Sequence, residues 1–334
     1  MTFRLSLYHL LFLILFCCNP KAKDNKQIAP SELDRSTEAG YILIHEHVLV
    51  DFGGADIAGY HRWDRDSVIM RVMPFLEEAK ARGVKTILEC TPAYLGRDPV
   101  LLSQLTELTG IKFVTNTGYY GAVNGKYLPA HAFVESAEEL ASRWIKEYED
   151  GIEATGVYPG FIKIGVNESE VLSEMDAKLV NAAAITHQKT GLMIVSHTGN
   201  WATAKAQIDI LQQHQIDLTQ FVWVHAQAEK DFSKYVEAAA LGVWISLDGV
   251  AWDVQGHLER IKFCHKQKLL NRVLLSHDAG WYSPGEKGGG EFTGYTALFD
   301  ELIPKLKDAG IGIPEIDTLL THNPVQAFSK AISF

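Results

Sequence analysis

Cysteine is scarce in this chain, with four residues among 334. Cys17 and Cys18 lie near the start of the sequence, while Cys90 and Cys264 lie far apart in its body. Two isolated thiols cannot build the disulfide framework of a small secreted domain, so that class of protein is excluded. We predict that Cys90 and Cys264 are buried free thiols.

An excess of positive charge is also missing, since 31 Lys and Arg residues accompany 41 Asp and Glu residues, giving a net charge of −10. No basic face is available to meet phosphate groups, which excludes a nucleic-acid partner. The sequence has no phosphate loop, no Gly-x-Ser-x-Gly elbow and no Gly-x-Gly-x-x-Gly turn after a strand. These absences argue against an NTPase and a serine hydrolase, and they remove the usual reason for preferring an open doubly wound sheet.

A long apolar run opens the chain at Leu5 and ends at a pair of cysteines. It is too short to span a bilayer comfortably, so we predict that residues 1–18 are a secretory signal of lipoprotein type, with Cys18 or Cys17 lipidated. Simple signal cleavage and an uncleaved anchor are the alternatives. The polar residues 19–40 are predicted to be a tether, which places the protein in a bacterial periplasm or on a membrane as an exported lipoprotein.

The remaining residues, 41–334, are 47% hydrophobic like the whole chain and are predicted to alternate strands with helices such as Ser67–Arg82 and Met175–Thr190. Eight apolar runs fit buried parallel strands: Tyr41–His45, Val84–Thr91, Ile111–Asn116, Gly160–Gly165, Leu192–Ser196, Phe221–Val224, Val243–Leu247 and Val273–Ser276. Eight such units predict a single (β/α)8 TIM barrel domain, with an open doubly wound sheet as the alternative.

Within Tyr41–Val50, the first apolar run ends in two histidines that are one residue apart. The period of two along a strand directs His45 and His47 to the same side. Because neutral imidazole is the commonest protein ligand for zinc-like metals, this pair is predicted to chelate a metal ion.

Further residues able to bind a metal lie at the ends of later strands. Lys163 lies inside the fourth predicted strand, His197 and His225 follow the fifth and sixth, and Asp278 follows the eighth. Active sites of (β/α)8 barrels lie at the C-terminal ends of the strands, so we expect these side chains to converge. Taken singly, each has a structural alternative: a hydrogen-bonded histidine, or an aspartate that caps the next helix.

Lys163 is the residue hardest to explain by structure alone. Burying an unpaired ammonium group costs several kcal/mol and favours the neutral amine. A neutral amine can react with carbon dioxide to give a carbamate, which is an anionic oxygen ligand. Four imidazoles, one carboxylate and one carbamate suffice for two metal ions with an open position.

Five motifs carry a resemblance to a known family: His45-Glu-His47, Phe161-Ile-Lys163-Ile, Ser196-His197-Thr, Val224-His225 and Ser276-His277-Asp278. Through them, about residues 42–329 resemble the phosphotriesterase family of the amidohydrolase superfamily, whose members are (β/α)8 barrels with two divalent metal ions, typically zinc. The resemblance implies that His45, His47 and Asp278 hold the more buried ion. It implies that His197 and His225 hold the more exposed ion, and that an N6-carboxylated Lys163 and a hydroxide bridge the two.

The sequence is especially similar to the lactonase-like branch of that family. Gly96-Arg97-Asp98 matches its Gly-Arg-Asp, and the tyrosine expected beside the metals is Tyr120, within Thr117–Tyr120. Tyr120 would donate a hydrogen bond to the substrate or simply pack as an aromatic. The chain departs from many such lactonases at Leu247-Asp248-Gly249, where an arginine that faces the substrate is expected. The resemblance therefore implies the metal centre more firmly than the substrate.

By the resemblance, the chain hydrolyses a small-molecule lactone or related carboxylic ester, with Asp278 accepting the hydroxide proton. His277 would relay that proton, or have a structural role only. A sugar lactone is the specific candidate, because Trp252 and Trp281 would stack on sugar faces if they do not merely pack their loops. Alternatives are a phosphotriester hydrolase and a lipid-anchored binding protein without catalysis. Membrane contact is expected only through the lipid anchor. The chain is expected to be either a monomer or a homodimer.

Overall fold

The computed structural model describes residues 40–332, so the signal and tether predictions lie outside the described residues, apart from Gly40. Nine parallel strands are β1 Tyr41–Glu46, β2 Val84–Glu89, β3 Lys112–Val114, β4 Asn116–Thr117, β5 Phe161–Gly165, β6 Met193–His197, β7 Phe221–Val224, β8 Trp244–Leu247 and β9 Val273–Leu275. Because β3 and β4 together occupy one position, the predicted eight-stranded barrel is confirmed.

Helices follow the strands on the outside of the barrel. They are α1 Arg65–Ala81, α2 Pro99–Thr109, α3 Ala130–Val134, α4 Ala137–Asp150, α5 Glu174–Thr190, α6 Trp201–Gln213, α7 Ser233–Ala240, α8 Val254–Lys266, α9 Ile303–Asp308, α10 Ile313–Asp317, α11 Asn323–Ala327 and α12 Ser329–Ile332. Polar side chains cap the starts of the longest helices, as when Ser136 and Glu139 form a reciprocal capping box on α4. Within residues 40–332, no helix is both long and apolar enough to span a bilayer.

Hydrogen bonds between the first and last strands close the barrel. The Asp278 N–H donates to the His45 carbonyl at 3.1 Å, and the His47 N–H donates to the Ala279 carbonyl at 2.9 Å. The buried carboxylate of Glu46 strengthens this seam, since it accepts hydrogen bonds from the Ser276 hydroxyl and the Ala279 N–H. The seam therefore fixes the predicted metal ligands of β1 beside Asp278.

The third barrel strand differs from its prediction over Ile111–Asn116, because it is interrupted at Thr115 and continues to Thr117. The Asn116 side chain explains part of the change, since its amide donates to the carbonyls of Glu89 and Thr91. Side-chain hydrogen bonds of this kind replace the regular ladder locally. The strand then turns at Gly118, where an added Cβ would lie 2.3 Å from the Lys163 carbonyl oxygen.

Two apolar layers hold the barrel together. Side chains that point inward pack along the axis, and Phe328 from the C-terminal segment covers the N-terminal end by packing on Phe161 with ring centroids 6.0 Å apart. Side chains that point outward, including the fully buried Trp144, Trp223 and Tyr235, pack between strands and helices. Both Cys90 and Cys264 are buried free thiols, as predicted.

The Gly-Arg-Asp motif has a structural explanation. Arg97 is 5% exposed and forms a two-pronged ion pair with Glu147 of α4, at 2.6 and 2.8 Å, and it also donates to the Asn116 carbonyl. Asp98 caps α2 through the Leu101 N–H. Since neither side chain lines the cavity described below, this motif stabilises the barrel rather than contacting a substrate.

Replacing Gly280 with Ala is expected to destabilise the fold by at least about 3 kcal/mol. Gly280 has a φ of +106°, and an added Cβ would lie 1.6 Å from the His47 carbonyl oxygen at the seam. Gly288 is the matched control, because its φ is +64° but nothing lies within 4 Å of an added Cβ. Gly288→Ala should cost only about 1 kcal/mol. Urea unfolding compares the two, and equal losses would contradict the crowding at the seam.

Candidate metal centre

All six predicted metal ligands line one cavity at the C-terminal ends of the barrel strands: His45, His47, Lys163, His197, His225 and Asp278. The cavity holds about 530 Å³ of space free of protein atoms, including its opening. Tyr120 and Trp281 form part of its wall, together with apolar residues such as Val50 and Leu95. The convergence expected from the strand ends is therefore present in the structure.

The first group of potential ligands lies across the barrel seam. Asp278 Oδ1 is 3.1 Å from His47 Nε2 and 3.6 Å from His45 Nε2, so three donor atoms face one point. Burial would raise the pKa of Asp278, but the hydrogen bond to His47 and the charges of His45 and His225 outweigh it and hold the pKa below its usual range. Asp278 is therefore a carboxylate at neutral pH.

The second pair of histidines lies beside the first group. The ring centroids of His197 and His225 are 4.4 Å apart, and those of His45 and His225 are 5.1 Å apart. Burial, followed by the charge of His225, lowers the pKa of His197 well below its usual value, which favours the neutral ligand form. The Tyr120 hydroxyl lies 3.1 Å from His197 Nε2, so the predicted tyrosine is at the cavity wall.

Asp248 orients two of these histidines, a role that sequence reasoning missed. Its carboxylate contacts His225 Nδ1 at 2.7 Å and His45 Nδ1 at 3.3 Å, which directs each Nε2 toward the cavity. Burial would raise the pKa of Asp248, but the charges of His225 and His45 and their hydrogen bonds hold it well below the usual range. The only sequence signal for this role is the position of Asp248, directly after the last residue of β8.

A second buried carboxylate acts on His47 through a hydroxyl group. The Thr91 hydroxyl donates to Glu89 Oε1 at 2.5 Å, so its oxygen accepts a hydrogen bond from His47 Nδ1 at 2.8 Å. This chain places a proton of His47 on Nδ1, so Nε2, which lies 3.1 Å from Asp278 Oδ1, is the ring atom that would offer a lone pair to a metal ion. Neither Thr91 nor Glu89 was identified from the sequence.

With zinc as the probe ion, Thr91→Val is expected to lower the affinity of the candidate centre for a divalent cation by about tenfold, because the His47 ring loses its orienting acceptor while the side-chain shape is kept. Thr91→Ser keeps the hydroxyl and should bind zinc like the unsubstituted protein. Competition with a chromophoric chelator measures both affinities. Equal affinities for the Val and Ser variants would show that the hydroxyl does not orient His47.

Lys163 is buried and without a partner. It is 2% exposed, and within residues 40–332 its amine forms no hydrogen bond or ion pair. Burial lowers the pKa of Lys163 below its ordinary value, which favours the neutral amine. An amine in this state at the floor of a cavity is chemically suited to carboxylation.

His277 lies outside the cavity. The ring is fully buried; its Nε2 accepts the Leu298 N–H at 3.1 Å, so the proton is on Nδ1, which donates to Glu46 at 2.8 Å. Both nitrogens are engaged at the barrel seam, and neither is available to take a proton from Asp278. The geometry favours the structural alternative for His277 over the predicted relay.

The donor set fits divalent cations such as zinc. Imidazole nitrogen and carboxylate oxygen are typical ligands of zinc, and the ligand atoms of His45, His47 and Asp278 all lie within 4.8 Å of one another. The unpartnered Lys163 amine and the pair His197 and His225 supply further donors on the same cavity. The orienting bonds from Asp248 and Thr91 are typical of residues that support metal ligands.

Comparison with known proteins agrees with this geometry. The phosphotriesterase homology protein of Escherichia coli (strain K12) is 31% identical over 294 residues, covering 86% of this chain and 98% of that protein. The aryldialkylphosphatase of Saccharolobus solfataricus is 27% identical over 306 residues, covering 88% and 96%.

Solved structures include the Escherichia coli phosphotriesterase homology protein complexed with phosphate in its active site. It superimposes with a TM-score of 0.76 at 28% sequence identity, covering 87% of this chain and 99% of that chain. A model of the phosphotriesterase family matches residues 27–328, which include every strand of the barrel and every residue of the cavity. On this match and on the convergence of the predicted ligands, the chain belongs to the phosphotriesterase family.

Proposed function

We propose that this protein is a metal-dependent hydrolase of neutral carboxylic esters, with lactones as its substrate class. The observation that carries the proposal is the convergence of four histidines, one carboxylate and an unpartnered buried amine on the floor of an apolar cavity. Such a donor set has little use in a protein that only binds an apolar ligand, because burying these polar groups is costly.

In this proposal the six predicted ligands hold two divalent ions, with zinc as the typical species. Lys163 is carboxylated: the amine lone pair attacks carbon dioxide, a C–N bond forms as one C=O π bond opens, and the released proton goes to solvent. When bound, the cations lower the pKa of water toward about 7 and polarise a carbonyl oxygen.

The side chains of the cavity perform the remaining tasks. Asp278 is a carboxylate next to both His45 and His47, so it is placed to take a proton from the attacking water and later release it. Tyr120 presents a hydroxyl donor at the wall, where it meets the oxygen of the substrate. Asp248 and Thr91 hold the histidine rings in their ligand orientation.

A neutral substrate follows from the charge of the wall. Apart from Lys163, the lining residues include no lysine or arginine, so beyond the metal ions themselves no side chain of the described cavity would hold the phosphate or sulfonate group of a charged substrate. Phe52 and Trp281 contribute aromatic surface, and Trp252 lies beside Trp281 at the edge. Flat apolar faces of a sugar lactone or another cyclic ester fit such walls.

Phosphotriester hydrolysis is the second candidate. A specific finding favours it, since a relative covering 88% of this chain is an aryldialkylphosphatase. A phosphotriester is neutral and aryl groups suit the same aromatic walls, so the lining does not discriminate against it. The two candidates differ in the geometry of the attacked centre, which only turnover measurements separate.

The test is elemental analysis of the purified protein together with hydrolysis of sugar lactones, acyl lactones and an aryl phosphotriester. About two metal ions per chain and the highest kcat/KM on a lactone are the expected results. Highest kcat/KM on the phosphotriester would establish the second candidate. Protein that stays metal-free and inactive after addition of zinc and bicarbonate would reject both candidates in favour of a binding protein.

A further inference from the structure

Two tryptophans from different loops donate hydrogen bonds to one carbonyl oxygen. Trp252 lies in the loop between β8 and α8, and Trp281 lies three residues after Asp278. Both indole N–H groups donate to the Asp278 carbonyl, Trp252 at 2.9 Å and Trp281 at 3.0 Å. A carbonyl oxygen has two lone pairs, so this pair of indoles can use its full accepting capacity.

The peptide groups around Asp278 are held on both sides. Its N–H donates to the His45 carbonyl at 3.1 Å across the seam, while its C=O accepts the two indoles. Asp278 itself has a φ of +53°, a left-handed conformation that Asp tolerates but does not prefer. The direction of its carboxylate toward His45 and His47 depends on keeping this conformation.

Packing alone does not account for either tryptophan. Trp252 is 60% exposed, so its ring contributes little to a core, yet its N–H is bonded. Trp281 has a φ of +80°, which is rare for a bulky residue and strains its backbone. Backbone strain of this kind persists where surrounding contacts over-determine the residue, and it concentrates at functional sites.

Ring contacts connect the same residues to the ligand cluster. The edge of Trp281 meets the His47 ring at 5.5 Å between centroids, and Trp252 meets Trp281 at 6.1 Å. The Ala251 N–H also donates to the His277 carbonyl, so the loop after β8 is hydrogen-bonded to the segment before Asp278. The two loops thus meet at the peptide of one ligand.

We propose that Trp252 and Trp281 are positioning residues that lock the backbone of Asp278 through their indole N–H groups. This role differs from substrate stacking, which uses the ring faces and would survive loss of the N–H. The kinetic part of the test rests on the proposed function. The zinc-affinity part does not, because zinc affinity depends directly on the position of Asp278.

Phenylalanine substitutions separate the two roles, since Phe keeps a flat apolar ring but has no N–H donor. Trp252→Phe and Trp281→Phe are each expected to weaken zinc affinity and lower kcat by about threefold, with KM nearly unchanged. In the double variant, zinc affinity and kcat should each fall by about 30-fold. This loss exceeds the product of the two single effects, because each indole partly compensates for loss of the other. The experiment uses the full chain, with zinc competition against a chelator and lactone kinetics.

Trp63→Phe is the matched control, because the Trp63 indole donates to Asp98 Oδ2 at 2.9 Å, away from the cavity. It should leave zinc affinity unchanged. The proposal would be overturned if both single Phe variants kept the wild-type zinc affinity and kcat, or if only their KM rose. It would also be overturned if Trp63→Phe lost as much zinc affinity as they do. The single variants suffice if the double variant does not fold. Absence of lactone turnover in the unsubstituted protein would reject the proposed function but not this inference, which zinc affinity still decides.

Discussion

Asp278→Asn is expected to lower kcat for the best lactone substrate by about 10³-fold or more. The amide has nearly the same shape, but it cannot accept the proton that the carboxylate is placed to take beside His45 and His47. Zinc affinity should also fall, because an amide oxygen is a weaker ligand than a carboxylate. Steady-state kinetics and elemental analysis of the same preparation measure both effects.

Asp253→Asn provides the control for that variant. Asp253 is an exposed carboxylate that caps α8 through the Gly256 N–H, on the same side of the barrel. Because Asn caps helices about as well as Asp, its kcat should stay within about twofold of the unsubstituted value. If Asp278→Asn retained more than a tenth of the activity, Asp278 would not be the proton acceptor.

Lys163→Met is expected to reduce metal content from about two ions per chain to one or fewer, and to lower kcat by about 10³-fold. Methionine fills a similar volume but cannot form a carbamate. The metal-free variant should at the same time be more stable than metal-free wild type by roughly 1–2 kcal/mol, because a buried amine without a partner is removed. Urea unfolding in chelator measures the stability of both proteins.

The stability difference should also depend on pH. Burial lowers the pKa of Lys163, so between its folded and unfolded values the unfolded chain binds more protons than the folded chain. Wild-type stability therefore rises with pH in this window, up to about pH 10.4, while the Met variant lacks this contribution. The advantage of the variant should shrink as the pH rises toward 10. An advantage that is constant between pH 7 and 10 would show that the Lys163 amine is not desolvated.

Strand periodicity and strand ends were sufficient to predict the barrel and the converging ligands. His45 lies in β1 and His47 directly follows its last residue, so the extended period of two predicts their common side. Lys163, His197 and Asp278 each follow or interrupt an apolar run, and in a parallel barrel such positions share one end. The family motifs then gave the same set of residues, and the match over residues 27–328 confirms the family.

The supporting contacts could not be predicted, because they join residues far apart in sequence through side-chain geometry. Asp248 contacts His45 over 203 positions, and Thr91 contacts His47 over 44 positions. No periodic pattern marks such partners before the fold is known. The break at Thr115 was missed for a related reason, since the Asn116 amide takes its acceptors from β2 and its following loop.

The seam between β1 and β9 determines when, during folding, the candidate metal centre can form. Its buried ligand group takes one histidine from the first strand, one from the residue after that strand and one carboxylate from just beyond the last strand, and Glu46 is hydrogen-bonded to Ser276 across 230 positions. A chain still leaving the ribosome before Asp278 has emerged has the two histidines of this group but lacks its carboxylate. In the proposed metal centre, this buried group can therefore bind an ion only late in folding, after the first and last strands of the barrel have met.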